Sequence, residues 1–231
     1  MHAAGKVASS DGTSIAFERT GDGPALILVD PAGSYRDFRP QRSPVEYLAA
    51  HFTVYLYDRR GRGASTDTLP YAVEREVDDL AALIAEAGGS AHLYGVSSGG
   101  ALALEAAAAG LAVDRLAVYE VPYCLAGDMR QRALEFIDQL GPVLAEGRRG
   151  KALELFMRFA GSSEEDIAGA RSSPFWPGLE AIAHTLAYDA ACMGDHQPPT
   201  ARLATITQPT LVLTGGVNPD AQGGMGGLPA D

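Results

Sequence analysis

The chain has 231 residues, 46% of them hydrophobic and 20% charged, which is ordinary globular material, not the composition of a disordered chain, and long enough for one large α/β domain or a domain plus an insertion. Its 29 acidic side chains outweigh 18 basic ones, and the net charge of −11 disfavours nucleic acid and anionic membrane surfaces, neither of which is expected as a partner, because both repel such a surface. No apolar run reaches the length of a membrane span and Met1 to Lys6 lack an apolar leader core, so a soluble cytoplasmic protein is expected.

Residues 6 to 19 alternate apolar and polar around Asp11-Gly12, the pattern of a β-hairpin. Ala25 to Asp30 is a continuous apolar run ending in a carboxylate, as a strand buried on both faces requires, and it leads into the loop Asp30-Pro31-Ala32-Gly33-Ser34. A helix is predicted over Val45 to Ala50, a buried strand over Phe52 to Tyr57, and then the turn Asp58-Arg59-Arg60-Gly61-Arg62-Gly63-Ala64-Ser65. Between Tyr71 and Ala87, Val73, Val77, Leu80 and Leu83 recur at helical spacing, with Gly88-Gly89 as a stop.

Ala91 to Gly100 is the stretch around which the rest is organised. It reads as a short strand, a tight turn with Ser97 at its apex in Gly95-Val96-Ser97-Ser98-Gly99, and a small-residue helix over Ala101 to Ala109. Flanking glycines let strand and helix approach closely, and the helix start points amide N–H groups at the space above the hydroxyl, where negative charge is stabilised. Arg115 to Glu120 is a further strand. The alternation of strands and helices implies a mostly parallel sheet with helices on both faces and a site at the carboxyl ends of the strands.

From about 122 to 203 the alternation gives way to helical periods. One helix carries Met129, Ala133, Phe136, Ile137, Leu140 and Leu144, and another carries Leu153, Phe156, Met157 and Ala160. A third is predicted from Gly178 to Cys192, with Leu179, Ile182, Ala183 and Leu186 on one face and Glu180, His184 and Tyr188 opposite. This block is expected to be a helical insertion, giving a core over 1–121, a helical cap over 122–203 and a return to the core over 204–231. Cys124 and Cys192 lack metal-ligand spacing and read as reduced, partly buried side chains, and no metal site is expected. Thr210 to Thr214 is a last strand, followed by a glycine-rich tail expected to be flexible.

With these features in this order the sequence resembles the α/β-hydrolase fold family. The resemblance rests on the Asp30-Pro31-Ala32-Gly33 loop, the Asp58 to Ser65 turn, Gly95-Val96-Ser97-Ser98-Gly99-Gly100, and the helical block after Glu120. It implies a cofactor-free serine hydrolase acting on a small ester or related acyl substrate with an apolar part. Ser97 is then the nucleophile, with the backbone N–H groups of Ala32 and Ser98 as oxyanion hole. At the family's position for the triad acid this chain has Asn218, so the resemblance turns to Glu120, with Asp220 as second candidate.

The family's histidine follows a further strand, roughly 45 residues of additional chain at typical element lengths, and none of His2, His51, His92, His184 or His196 occupies that position. Three readings stay open: a C-terminally incomplete piece of a hydrolase, impaired for want of its base; a ligand-binding member without turnover; or a cap histidine, His184, acting as base. An incomplete sheet would leave the strand at Thr210 as an apolar edge, for which homodimerisation or swapping is expected.

Overall fold

In the computed structural model, residues 2–38, 44–124 and 127–215 are described. They form one seven-stranded sheet, β1 (His2–Ala8), β2 (Ser14–Thr20), β3 (Ala25–Val29), β4 (Thr53–Tyr57), β5 (Ala91–Val96), β6 (Val113–Tyr119) and β7 (Thr210–Leu213), in the order β1-β2-β4-β3-β5-β6-β7. β1 and β2 form the antiparallel hairpin read from the alternation, although it begins at His2, and β2 pairs antiparallel with β4. The other pairings are parallel, as expected of continuous apolar runs alternating with helices.

Period two sorts each strand between two faces. Ile27 and Val29 of β3 and Tyr55 and Tyr57 of β4 face α2 (Val73–Glu86) and α3 (Ser98–Ala108), while Leu26, Leu28, Val54 and Leu56 face the short α1 (Val45–Leu48). Helix α2 buries Val77, Leu80 and Leu83, as its spacing required, but also Glu76 and Asp79. Those two carboxylates lie on the flank of the apolar stripe, where they meet arginines from the loop after β4.

Between β6 and β7 the chain forms α4 (Gly127–Ala145), α5 (Arg149–Phe159), α6 (Glu164–Arg171), α7 (Trp176–Ile182), α8 (Leu186–Met193) and the short α9 (Thr200–Leu203). A separate apolar cluster of Phe136, Leu140, Val143, Leu153, Trp176 and Leu186 holds this segment together, and Ala32 and Phe156 pack on it. The continuous helix read over 178–192 is broken: Ala183–Thr185 is a 3₁₀ turn between α7 and α8. The break turns Tyr188 inward, where it stacks on Tyr71 with ring centroids 3.9 Å apart, instead of sharing a solvent-facing stripe with Glu180.

All four residues of β7 are exposed, with Leu211 and Val212 at 56% and 69%. Among the described residues β7 pairs only with β6, so its outer edge is open. The expected tail beyond Gly215, with Asn218 and Asp220, lies outside the described residues.

Candidate active site

The turn at Ser97 owes its shape to space. A Cβ on Gly95 would stand 2.5 Å from the Gly99 carbonyl oxygen, one on Gly99 2.2 Å from the Val29 oxygen, and one on Gly100 2.6 Å from a Val121 methyl. Only glycine lets α3 start against the ends of β3 and β5, which accounts for the spacing around the serine. Ser97 takes φ 53° and ψ −126°, and α3 begins at the next residue, Ser98, three residues earlier than the apolar pattern suggested. Its N–H donates to the Tyr119 carbonyl at 2.9 Å, and its own carbonyl accepts from Gly100 at 2.9 Å. A serine at positive φ is a strained backbone, worth about 1 to 3 kcal/mol, and such strain concentrates where function needs a side chain presented at one angle.

Two other non-glycine residues share this conformation among the described residues, Glu120 at φ 49° and His196 at φ 61°. Glu120 follows β6 at the level at which Ser97 follows β5, since Val96 pairs with Tyr119. Its Oε1 accepts from the Gly215 N–H at 3.0 Å and its N–H donates to the Leu213 carbonyl at 3.0 Å, so the carboxylate ties the ends of β6 and β7 together.

The loop after β3 brings Ala32 to the same end of the sheet. The Pro31 carbonyl accepts from the Ser34 hydroxyl at 2.6 Å and from Arg62 Nη1 at 2.8 Å. Ser98, as the first residue of α3, has an N–H with no partner within its helix. Its hydroxyl donates to Asp189 Oδ1 at 2.9 Å.

The turn Asp58 to Ser65 is a scaffold. Asp58 accepts from the Arg36 N–H at 2.7 Å and the Ala64 N–H at 2.9 Å, and a Cβ on Gly63 would stand 2.5 Å from its carboxylate. Arg59, Arg60 and Arg62 are all buried. Arg60 forms a two-pronged pair with Asp79 at 2.8 and 2.7 Å and reaches Asp11 at 2.9 Å. Arg59 does the same with Glu76, both bonds at 2.7 Å, and reaches Asp189 Oδ1 at 2.6 Å, while Arg62 Nη2 donates to Asp189 Oδ2 at 2.7 Å. Two guanidinium charges therefore face two carboxylates, the condition under which buried ions are tolerated. Burial alone would raise the pKa of Asp189, but the Arg62 and Arg59 charges and the Ser98 hydroxyl hold it below the ordinary carboxylate value. Sequence reasoning missed Asp189, Glu76 and Asp79; the available signal was a run of three arginines within four residues of an acidic chain.

His184 does not approach Ser97 through any hydrogen bond among the described residues. Its Nε2 stands 3.4 Å from Asp67 Oδ2, its ring meets that of Tyr188 edge-on at 5.8 Å, and it rests on Gly61, where a Cβ would lie 2.9 Å from Nε2. Burial, helped by the nearby Arg149 charge, pushes its pKa down. The buried His196 directs Nδ1 at the Pro122 carbonyl, 3.4 Å away, and stands edge-on to Phe159 at 5.8 Å. His92 sits five residues before Ser97 along β5, about 16 Å away at the strand rise, and packs on Phe52.

Cys124 and Cys192 are free and buried, and burial pushes the Cys192 thiol up to about 12. Among the described residues no group of three or more His, Cys, Asp or Glu side chains is placed to hold a metal, and no helix is long and apolar enough to cross a membrane.

No curated protein matches the chain. Among solved structures, it is similar to an alpha/beta hydrolase from Sphaerobacter thermophilus, with 53% identity over 90% of this chain and 80% of that one and a TM-score of 0.81. It is also similar to a hydrolase from Pseudomonas aeruginosa, with 28% identity over 90% and 78% and a TM-score of 0.68. It shares the fold of an N-formylmaleamic acid deformylase from Pseudomonas putida, with 24% identity over 93% and 82% and a TM-score of 0.60. A model of the alpha/beta hydrolase family matches residues 26–228. With that match, a sheet of this order and a serine at its strand-to-helix turn, the chain belongs to the alpha/beta hydrolase family.

Proposed function

We propose that the chain is a serine hydrolase acting on a small ester or related acyl substrate, with Ser97 as nucleophile. The observation that carries this is the backbone of Ser97, held at φ 53° between β5 and α3 with the hydroxyl at the carboxyl edge of the sheet. In the reaction, Ser97 Oγ forms a bond to the carbonyl carbon, the carbonyl electron pair moves onto oxygen, and the Ala32 and Ser98 N–H groups hold that oxyanion. Each such donor contributes about 2.7 to 4 kcal/mol where charge develops in a dry site. The leaving group departs with a proton, and water then releases the acyl group.

Glu120 is the proposed carboxylate of the site, supported by its place one strand from Ser97 and its own strained backbone. All five histidines are described and none hydrogen-bonds to Ser97 or Glu120, so the chain is proposed to acylate slowly and to be impaired in turnover; a hydroxyl without a base is a poor nucleophile. The helical segment after β6 is proposed as a cap over an apolar acyl site, supported by the packing of Ala32 on its cluster and by Phe156 of α5 against Gly33, where a Cβ would lie 3.6 Å from the ring. The free, buried cysteines suit a reducing compartment, and we place the chain in the cytoplasm.

A fluorophosphonate probe tests this reading, because its phosphorus is electrophilic enough to need little help from a base. Labelling that is lost in Ser97→Ala is expected. A well-folded chain with an unreactive Ser97 would instead be a ligand-binding member of the same fold.

A further inference from the structure

We infer that Asp189, a buried carboxylate of α8, is the positioning residue that sets both oxyanion donors. The inference rests on the reading of Ser97, Ala32 and Ser98 proposed above.

Ala32, in the loop after β3, and Ser98, at the start of α3, lie far apart in the chain, and their amides must converge to within fractions of an ångström to act on one oxygen. A peptide unit is planar, with its C=O and the following N–H pointing in opposite directions. Fixing the Pro31 oxygen therefore fixes the direction of the Ala32 N–H. Arg62 Nη1 holds that oxygen at 2.8 Å, and Arg62 is itself held through Nη2 by Asp189 Oδ2 at 2.7 Å and through Nε by Thr185 Oγ1 at 3.1 Å.

The other oxygen of the same carboxylate accepts from the Ser98 hydroxyl at 2.9 Å, which anchors the residue whose N–H is the second donor. Arg59 Nη1 braces that oxygen at 2.6 Å. One side chain, only 5% exposed, thus joins the start of α3 and the loop after β3 through one hydrogen bond on the first side and two on the second. Because α8 belongs to the segment between β6 and β7, seating that segment assembles the anion-binding geometry as well as covering it. Arg62 and Ser98 are the two arms of the device, and Ser34, donating to Pro31 at 2.6 Å, is a local support of the first arm.

The test separates the rate of Ser97 phosphonylation from probe binding in the full chain. Labelling forms the Oγ–P bond, breaks P–F, releases fluoride and passes the hydroxyl proton to water, and the phosphoryl oxygen takes the place of the oxyanion. The inactivation rate constant and the half-saturating probe concentration are measured for the parent, Asp189→Asn, Ser98→Ala, and Leu83→Ala as a core-destabilised control. All are compared at a temperature where circular dichroism shows each to be folded.

Asp189→Asn keeps the shape but offers one acceptor oxygen where two are needed, and turns an N–H₂ toward a donor. Its rate constant is expected to fall about 10- to 100-fold with half-saturation unchanged, less than the loss of a donor outright, about 10²- to 10³-fold. Ser98→Ala, which breaks one arm and leaves every charge in place, is expected to fall several-fold, and Leu83→Ala to stay near the parent. A parent-like rate in Asp189→Asn overturns the inference, and so does an equal loss in Leu83→Ala. Should Asp189→Asn not fold, Ser98→Ala decides by the same criterion. Absence of Ser97 labelling in the parent removes the serine-hydrolase reading and this inference together, whereas a labelled parent with a parent-like Asp189→Asn removes this inference alone.

Discussion

Gly99→Ala places one methyl group where the structure has no room for it, and its effect can be worked from the geometry. The new Cβ would stand 2.2 Å from the Val29 oxygen and 2.6 Å from the Asp30 oxygen, and contacts below 3.0 Å are essentially never adopted. Both obstacles are backbone, at the last residue of β3 and the residue after it, so no rotamer relieves them and α3 must withdraw from the strand end by about 0.8 Å, from 2.2 to 3.0 Å. Overpacking against a rigid partner costs typically 1 to 3 kcal/mol, and this site belongs at about 3 kcal/mol. With a urea slope of about 2 to 3 kcal/mol per molar, the midpoint falls by about 1 to 1.5 M. The same displacement separates Ser98 from the loop bearing Ala32, so Ser97 labelling slows by about 100-fold, the order expected for a 1 Å misplacement. Gly169→Ala is the control: it lies exposed within α6 with nothing within 4 Å of the added methyl, and it is expected to stabilise by about 0.5 to 1 kcal/mol. A Gly99→Ala midpoint within about 0.3 M of the parent, at equal slope, would refute the close-approach argument for the glycine spacing.

Acid sensitivity should trace in part to His184. Burial and Arg149 lower its pKa while Asp67 opposes them, so the folded chain binds the proton more weakly than the unfolded chain. Stability from this source is complete above the unfolded value of about 6.5 and declines as pH falls below it. His184→Gln should therefore show a shallower drop in melting temperature between pH 7.5 and 5.5, and an unchanged or steeper drop contradicts this. The outer edge of β7, unpaired among the described residues, is proposed to drive self-association, since unpaired strand edges template pairing with a second chain. Val212→Lys should then shift sedimentation toward the monomer, and a parent that stays monomeric at high concentration would exclude the edge as an interface.

Much of the fold is legible in the sequence because its signals are local. Apolar runs such as Ala25 to Val29, the helical spacing of Val77, Leu80 and Leu83, and glycines on either side of Ser97 each report a steric or burial demand met within a few residues. The misreadings fall where a local pattern had two outcomes. The period through 178–192 suits one continuous helix, yet the chain breaks into a 3₁₀ turn at His184, and that turn sends the imidazole to Asp67.

By itself, then, the sequence determined the parallel sheet, the bend at Ser97 and the helical segment that interrupts the core after Glu120. Only the tertiary structure decided which charges meet. Arg59 finds Glu76 on a neighbouring helix and Asp189 on a helix 130 residues away, and Arg62 finds the same Asp189. A buried charge demands an opposite charge at hydrogen-bond distance, but it places no demand on where in the chain that partner is encoded. The network that supports the proposed oxyanion site is therefore invisible to spacing and periodicity, and appears only when α8 is seated against the loops that follow β3 and β4.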